Sequence, residues 1–382
     1  MRMKKYSKTR TIRATALLGT LIISSQSHAV SFDVEGTAVS VGGYAKLDAI
    51  YDFDSDLGFS VQFPRIALDG DNGPEGFSNL HAFESRLNVG TSTNTDFGTV
   101  RTFVEGDFYG GGGGTLRLRH AYGEWNGILA GQTWTNFGGF IGLTPTIDFT
   151  TPTGNALGLR QAQIRYTTGK FSVALEDPGN LGGNVVTSGL GPAKSTFPDL
   201  TARYETGFGA LRVGTSTVLR QLEYYNSASD DEQTKFGWGF HLEGAYDISD
   251  ALTVRASIVH GDGIGGYINV GPNPPAYVDE TNNEVETITS SGVMIGATYK
   301  VGPGAVNIVA SEARADLDDA VQNSSSFDGS SNEQYRSYYA NYIWNAAPKV
   351  TFGFELGRHS REVYDGRDGA AVRVQAMAKY SF

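Results

Sequence analysis

The 382-residue chain carries 30 Lys and Arg against 41 Asp and Glu, with 50 glycines, 19 tyrosines, 21 phenylalanines and no cysteine. The acidic balance argues against nucleic-acid binding as the main task, and the lack of thiols excludes both a disulfide framework and a thiolate metal site. Beyond residue 29 no stretch approaches the ~20 apolar residues of a transmembrane helix.

The first segment, MRMKKYSKTRTIR, holds six positive charges and no acid, and ATALLGTLIISS and Gln26-Ser27-His28-Ala29 follow it. A charged start, a short apolar run and small residues at Ser27 and Ala29 predict an export signal over 1–29, cut before Val30. Without its six bases the remaining chain holds 24 basic residues against 41 acidic ones, a net charge of −17.

From there the recurring signal is alternation, the period-two pattern of strands with one apolar face. AVSVGGYAKLDAIYDFD sets Val39, Val41, Ala45, Leu47, Ala49, Tyr51 and Phe53 against Lys46, Asp48 and Asp52. GTVRTFVEGDF separates Val100, Thr102, Val104 and Phe108 from Arg101, Glu105 and Asp107. ALRVGTSTVLR and KFGWGFHLEGAYD repeat the pattern, the second with Phe236, Trp238, Phe240, Leu242 and Tyr246 opposite Lys235, His241 and Glu243. Further segments begin near Leu80, Leu116, Ile128, Arg160, Phe171, Leu200, Leu252, Val293, Val306, Arg336, Val350 and Val372. The expected total is about 16 strands, give or take two.

Connectors alternate as well. TNTDFG, WNG, TTGK, TGFG, DISDA, VGPG and NAAPK are tight, whereas Ser55–Ser78, Gly138–Gly158, Asp177–Thr196, Gly263–Ser290, Arg314–Asn332 and Ser360–Asp368 are mostly long and polar. The chain ends on VRVQAMAKYSF, a strand running to its last residue with Phe382 and Tyr380 on the apolar face. An open sheet cannot cross lipid, because each unpaired edge group costs several kcal/mol there, and a barrel removes the edge by joining last strand to first. The reading is an all-β, transmembrane, up-and-down antiparallel β-barrel over 30–382, with short periplasmic turns and long extracellular loops. Tyr380 and Phe382 sit where an aromatic girdle and a barrel-closing signal belong.

VGGYAKLDAIYDFDSD, VEGDFYG, LRLRHAYGEWNGILAGQTWTNF, TIDFTTPTG and RQAQIRYTTGKFSVALE resemble the DcaP-like family of outer-membrane porins, over Val39 to Glu176 above all. The resemblance implies a 16-stranded homotrimeric barrel in the outer membrane of a Gram-negative bacterium, passing small organic anions such as dicarboxylates without a cofactor. It implies contact with outer-membrane lipid, lipopolysaccharide and the assembly machinery, which reads a terminal aromatic. It also makes Gly138–Gly158 the loop folded into the lumen, with Thr144, Thr146 and Asp148 near the constriction. Some members carry a helical stalk before the first strand, for which Val30–Ala38 is too short.

The polar parity supplies arginines for an anion path: Arg86, Arg101, Arg117, Arg119 and Arg165, then Arg203 and Arg212, with Lys46 on the first strand. An arginine facing lipid at the midplane costs roughly 2–4 kcal/mol, so these side chains are expected to line the lumen as a ladder facing the 138–158 loop. Positive rings favour anions. The bland reading is that Glu84, Glu105 and Asp107 pair with the arginines and brace the wall; both can hold. Asp54, Asp56, Asp69, Asp71, Glu75, Asp316, Asp318 and Asp319 lie in or beside long loops, where screening beyond ~8 Å limits their effect on the pore.

Other strings carry less. GDGIGG at 261–266 lacks a following helix, and GGGGG at 110–114 lacks the Lys-Ser/Thr of a phosphate loop. Asp52, Asp54 and Asp56 have calcium-loop spacing, but Leu57 and Phe63 stand where Gly and Glu are needed. No H-E-x-x-H or G-x-S-x-G occurs, so no catalytic or metal-binding residue is expected. The rival readings are a barrel adhesin acting through its long loops and a lipid-hydrolysing barrel using His120 and Ser85, both placed by parity on the outer wall.

Overall fold

A computed structural model describes residues 30–156, 160–179 and 183–382; the expected export signal at 1–29 and part of the expected inserted loop, including Gly158, lie outside the described residues. Sixteen strands close into one antiparallel barrel. They begin with β1 (Thr37–Asp52), β2 (Arg86–Thr95), β3 (Gly98–Gly110), β4 (Thr115–Trp125), β5 (Ile128–Trp134), β6 (Arg160–Thr168), β7 (Phe171–Glu176) and β8 (Asp199–Phe208). The second half is β9 (Leu211–Asn226), β10 (Asp231–Asp247), β11 (Leu252–Asp262), β12 (Thr289–Val301), β13 (Gly304–Ala315), β14 (Asn332–Ala347), β15 (Val350–Val363) and β16 (Asp368–Ser381).

Closure is made by β16 on β1, in register from Tyr44 opposite Ser381 to Asp52 opposite Arg373. The Phe382 N–H then donates to the Gly43 carbonyl at 3.2 Å. Below that point Val30–Val34 pairs with Thr37–Val41 of β1 through a Glu35-Gly36 turn. Alternation is obeyed round the wall: Leu47, Val89, Leu118, Ile164, Phe240, Ile295 and Leu356 are exposed outward, whereas Lys46, Asp48, Asp107, Arg119, Glu243, Glu355 and Arg373 are buried inside. The tight WNG turn has Asn126 and Gly127 both at positive φ, 48° and 83°, the geometry that matches hairpin twist.

Two sequence expectations need correction. The strand expected from Leu80 is broken. Phe77–His81 pairs with the upper part of β1, and β2 restarts at Arg86 on the lower part. Ser85 fills the gap in the ladder, its hydroxyl accepting from the Lys46 N–H at 3.0 Å. His120, in turn, is not on the outer wall. A bulge in β4 opposite Glu105 and Gly106 shifts the register by one, which moves every following side chain to the other face. His120 is thereby buried inside, its Nδ1 3.0 Å from the Thr133 hydroxyl. Outward parity was the ground for pairing it with Ser85.

Three long loops fold inward instead of standing in solvent. Leu57, Val61, Phe63 and Ile66 of the loop after β1 pack on Tyr335 and Ala371. Phe137 and Ala156, from the loop after β5, join Ile264, Tyr267 and Ile268 of the loop after β11, against Val218, Val259 and Ala313 of the wall. These clusters cover the inner face of β9–β16 in the long-loop half. Above them Val185–Val186, Ala276–Asp279 and Glu284–Thr287 form a small separate sheet, backed by a helix at Asp318–Asn323.

Candidate functional site

The loop leaving β5 is tied to the wall by carboxylates that accept its backbone N–H groups. Glu176 takes the Thr135 hydroxyl at 2.6 Å and the Asn136 N–H at 2.7 Å, and Glu243 takes the Gly142 N–H at 2.8 Å. Glu355 accepts from both Ile147 and Asp148 at 2.8 Å. Asp148 meets Arg373 at 2.9 Å, and Arg373 also grips Asp52 through Nε at 2.6 Å and Nη2 at 2.8 Å. Each acceptor satisfies a donor that burial would otherwise leave unpaired. Burial pushes the Asp148 carboxyl up, but Arg373 and the Thr150 N–H hold it below the ordinary carboxylate range.

Packing completes the seat. Leu143 lies on Met294, Val309 and Tyr339. Gly154 meets Gly292 so closely that a Cβ on Gly292 would stand 2.6 Å from the Gly154 Cα. Thr144 is fully buried toward Gly296 on β12, and the Thr146 hydroxyl donates to the Asp148 carbonyl at 3.4 Å. Thr144 and Asp148 therefore belong to the seated side of the loop, whereas Thr146 is half-buried and bonds within the loop. Phe149, stacked on Tyr109 at 4.3 Å, and Phe140, edge-on to Trp134 at 5.3 Å, reach the opposite wall.

That opposite wall, β2 to β6, meets the loops through Phe59, Phe140 and Phe149, and three of the seven expected arginines meet there. Arg117 grips Asp107 through two bonds of 3.0 and 2.7 Å. Arg119 reaches Glu105 at 2.8 Å and Asp107 at 2.9 Å. Arg86 lies 3.7 Å from both Glu84 and Glu105. Lys46 extends the network to Asp48 at 3.0 Å and to Glu84, and donates to the Ile147 carbonyl of the loop. Both guanidinium groups also face rings: Arg117 lies 5.4 Å and Arg119 5.8 Å from the Phe149 centroid.

The remaining expected residues are spread out. Arg203, on β8, is braced by Glu205 and Glu243, and Arg212 pairs with Asp247 at 3.2 Å near the short-turn end. Arg101 and Arg165 share the lumen parity and have no carboxylate within 4.0 Å among the described residues. Tyr380 and Phe382 stand at the rim, half exposed.

Sequence reading passed over three groups here. Arg160 stacks on Trp134 at 4.7 Å and has no carboxylate within 4.0 Å among the described residues; it opens a strand, where parity gives no clear side. Phe149 sits in a loop without periodicity. Arg373 could have been found, since it lies on the polar parity of the closing strand. Among the described residues no group of three or more His, Cys, Asp or Glu is placed to hold a metal ion.

The family model for the DcaP outer membrane protein matches residues 18–382. A crystal structure of the outer membrane channel DcaP of Acinetobacter baumannii is similar with TM-score 0.80 and 26% identity, over 92% of this chain and 100% of that one. An anion-selective porin from Comamonas acidovorans shares the fold, with TM-score 0.56 and 13% identity, over 91% of this chain and 100% of its own. Salmonella typhi OmpF, in complex with daunomycin, does so with TM-score 0.54 and 10% identity, over 92% and 100%. No curated protein matches the sequence.

Proposed function

The chain belongs to the DcaP outer membrane protein family, a barrel of the Gram-negative outer membrane, and we propose that it is a porin favouring small organic anions, dicarboxylates among them, by passive diffusion. One observation carries the reading: Arg117, Arg119 and Arg160 gather round Phe149 and Trp134 on the wall that faces the seated loop. Asp107 and Glu105 already take in-plane N–H groups of Arg117 and Arg119, whereas Arg160, held by the Trp134 ring, keeps its in-plane edge for a carboxylate, which a guanidinium meets with paired bonds. Glu105 and Asp107 orient Arg117 and Arg119 while cancelling part of their charge, so the same network braces and selects. The solved neighbours named channel and anion-selective porin support this direction.

The mechanism needs no bond chemistry. The seated loop sets the width and arginines bias what enters. Assembly follows the same logic: three copies joined through barrel walls, as in a neighbour solved in trimer form, with Phe382 as the recognition mark for the assembly machinery and lipopolysaccharide around the outer rim. Reversal potentials across a KCl gradient, with liposome swelling in mono- and dicarboxylates against sugars of equal size, test the proposal. Anion selectivity and faster dicarboxylate entry are expected; a cation-selective channel overturns it.

A further inference from the structure

Below the seated loop the lumen changes character. Inner residues there are half-buried or exposed, among them Arg212 on β9, Arg255 on β11 and Lys300 on β12. Register places Arg212 opposite Ala245 and Ala245 opposite Arg255, so two arginines flank one small side chain across three strands. At ~4.8 Å per strand their Cα atoms stand ~10 Å apart, a span that two long side chains can close on one bound anion. Ala245 is too small to hold the two side chains apart and is itself buried.

Arg255 differs from the arginines that brace this barrel. Arg119, Arg203 and Arg373 are buried and each meets two carboxylates. Arg255 is half-buried and has no carboxylate within 4.0 Å among the described residues. Its Nη1 donates to the Thr298 hydroxyl at 2.7 Å. That hydroxyl donates to Asn307 at 2.7 Å, Asn307 to Asn341 at 2.8 Å, and Asn341 to Glu355 at 2.8 Å. Arg255 is thus oriented by neutral partners in a chain that ends on the carboxylate seating the loop, and four of its five donors remain for a ligand. Arg212 is tethered by Asp247, which also accepts from Thr253 at 2.7 Å. Loop residue Gly142 packs on Ala256 and Ser257, beside Arg255, so the pair lies one step past the constriction.

We propose that Arg255, with Arg212 across Ala245, forms a second anion station on the periplasmic side of the inserted loop, separate from the Arg117–Arg119–Arg160 wall. It takes a carboxylate-bearing solute that has cleared the loop, before release at the short-turn end. The station rests on the anion reading above and adds to it a second binding position with its own access.

Citrate block of chloride current through the full chain in planar bilayers tests it, with citrate applied to either face. Citrate is expected to block from both faces. Arg255→Gln should raise the half-blocking concentration about tenfold from one face only, Arg160→Gln from the opposite face only, and Arg255→Lys should restore most of the loss. Arg212→Gln should weaken block from the same face as Arg255→Gln, to a smaller extent, and stands in if Arg255→Gln does not assemble. If the variants fold, keep their conductance in concentrated KCl, and block changes at neither face or at both alike, the station is refuted while the anion reading stands. A parent channel that is cation-selective and untouched by citrate refutes the anion reading itself.

Discussion

Replacing Arg160 with glutamine removes a positive charge from the arginine wall without freeing an acid. Arg117 and Arg119 share Asp107, so deleting either disturbs a network as well as a field, whereas Arg160 is held by the Trp134 ring. An ion passing ~5 Å from the guanidinium, at an effective dielectric constant of ~40–80, interacts by ~0.8–1.7 kcal/mol, and screening near 0.1 M salt reduces this to ~0.5–1 kcal/mol. Anions lose that much and cations gain it, so the permeability ratio moves by ~1–2 kcal/mol, about five- to thirtyfold. The assay is the reversal potential across a KCl gradient kept near the same ionic strength, with Arg160→Lys as the charge-conserving control. A reversal potential equal to that of the parent, in a variant with normal heat-modifiable migration, refutes the assignment of Arg160 to the selective wall.

Other expectations concern the seat of the loop. Glu355→Ala strips the Ile147 and Asp148 N–H groups of their acceptor, at ~1–3 kcal/mol for each buried donor; current noise and protease cleavage within the loop should rise, and Glu355→Gln should do less because an amide oxygen still accepts. Gly292→Val should lift the loop at Gly154, where even a Cβ would stand 2.6 Å from the Gly154 Cα, and conductance should change with barrel yield intact. The Asp148 carboxyl lies below its ordinary value of 3.8 in the seated loop. Its contribution to seating is therefore complete above that value and is lost as pH falls through the depressed one. The Asp148 contribution should appear as a rise in noise only below about pH 4 that Asp148→Asn abolishes; a rise that survives in that variant would point to a different group.

Much of the barrel could be read from alternation, because lipid outside and water inside impose opposite demands on successive residues. VRVQAMAKYSF is the plainest case, pairing with β1 as a closing strand must. The failures have equally physical causes. One extra residue, Arg119 itself, reverses parity and carries His120 indoors, and a bulge has no compositional mark. Leu57, Val61, Phe63, Ile264, Tyr267 and Ile268 sit in stretches that looked like solvent loops and are buried; their signal was apolar side chains with no period to place them. The arginines were legible as a set, but only partners in space separate Arg119, held by two acids, from Arg255, held by a hydroxyl.

With three loops packed along one side, the upper channel is a half-pipe rather than a tube. On the proposed path cargo slides along β2 to β6, and the rest of the circumference is scaffolding. Retuning what the channel admits is then a matter of editing five strands. Changes on the far side decide whether the plug stays seated, and a screen for altered uptake should recover the two classes with different fingerprints, shifted preference in one and leakiness in the other.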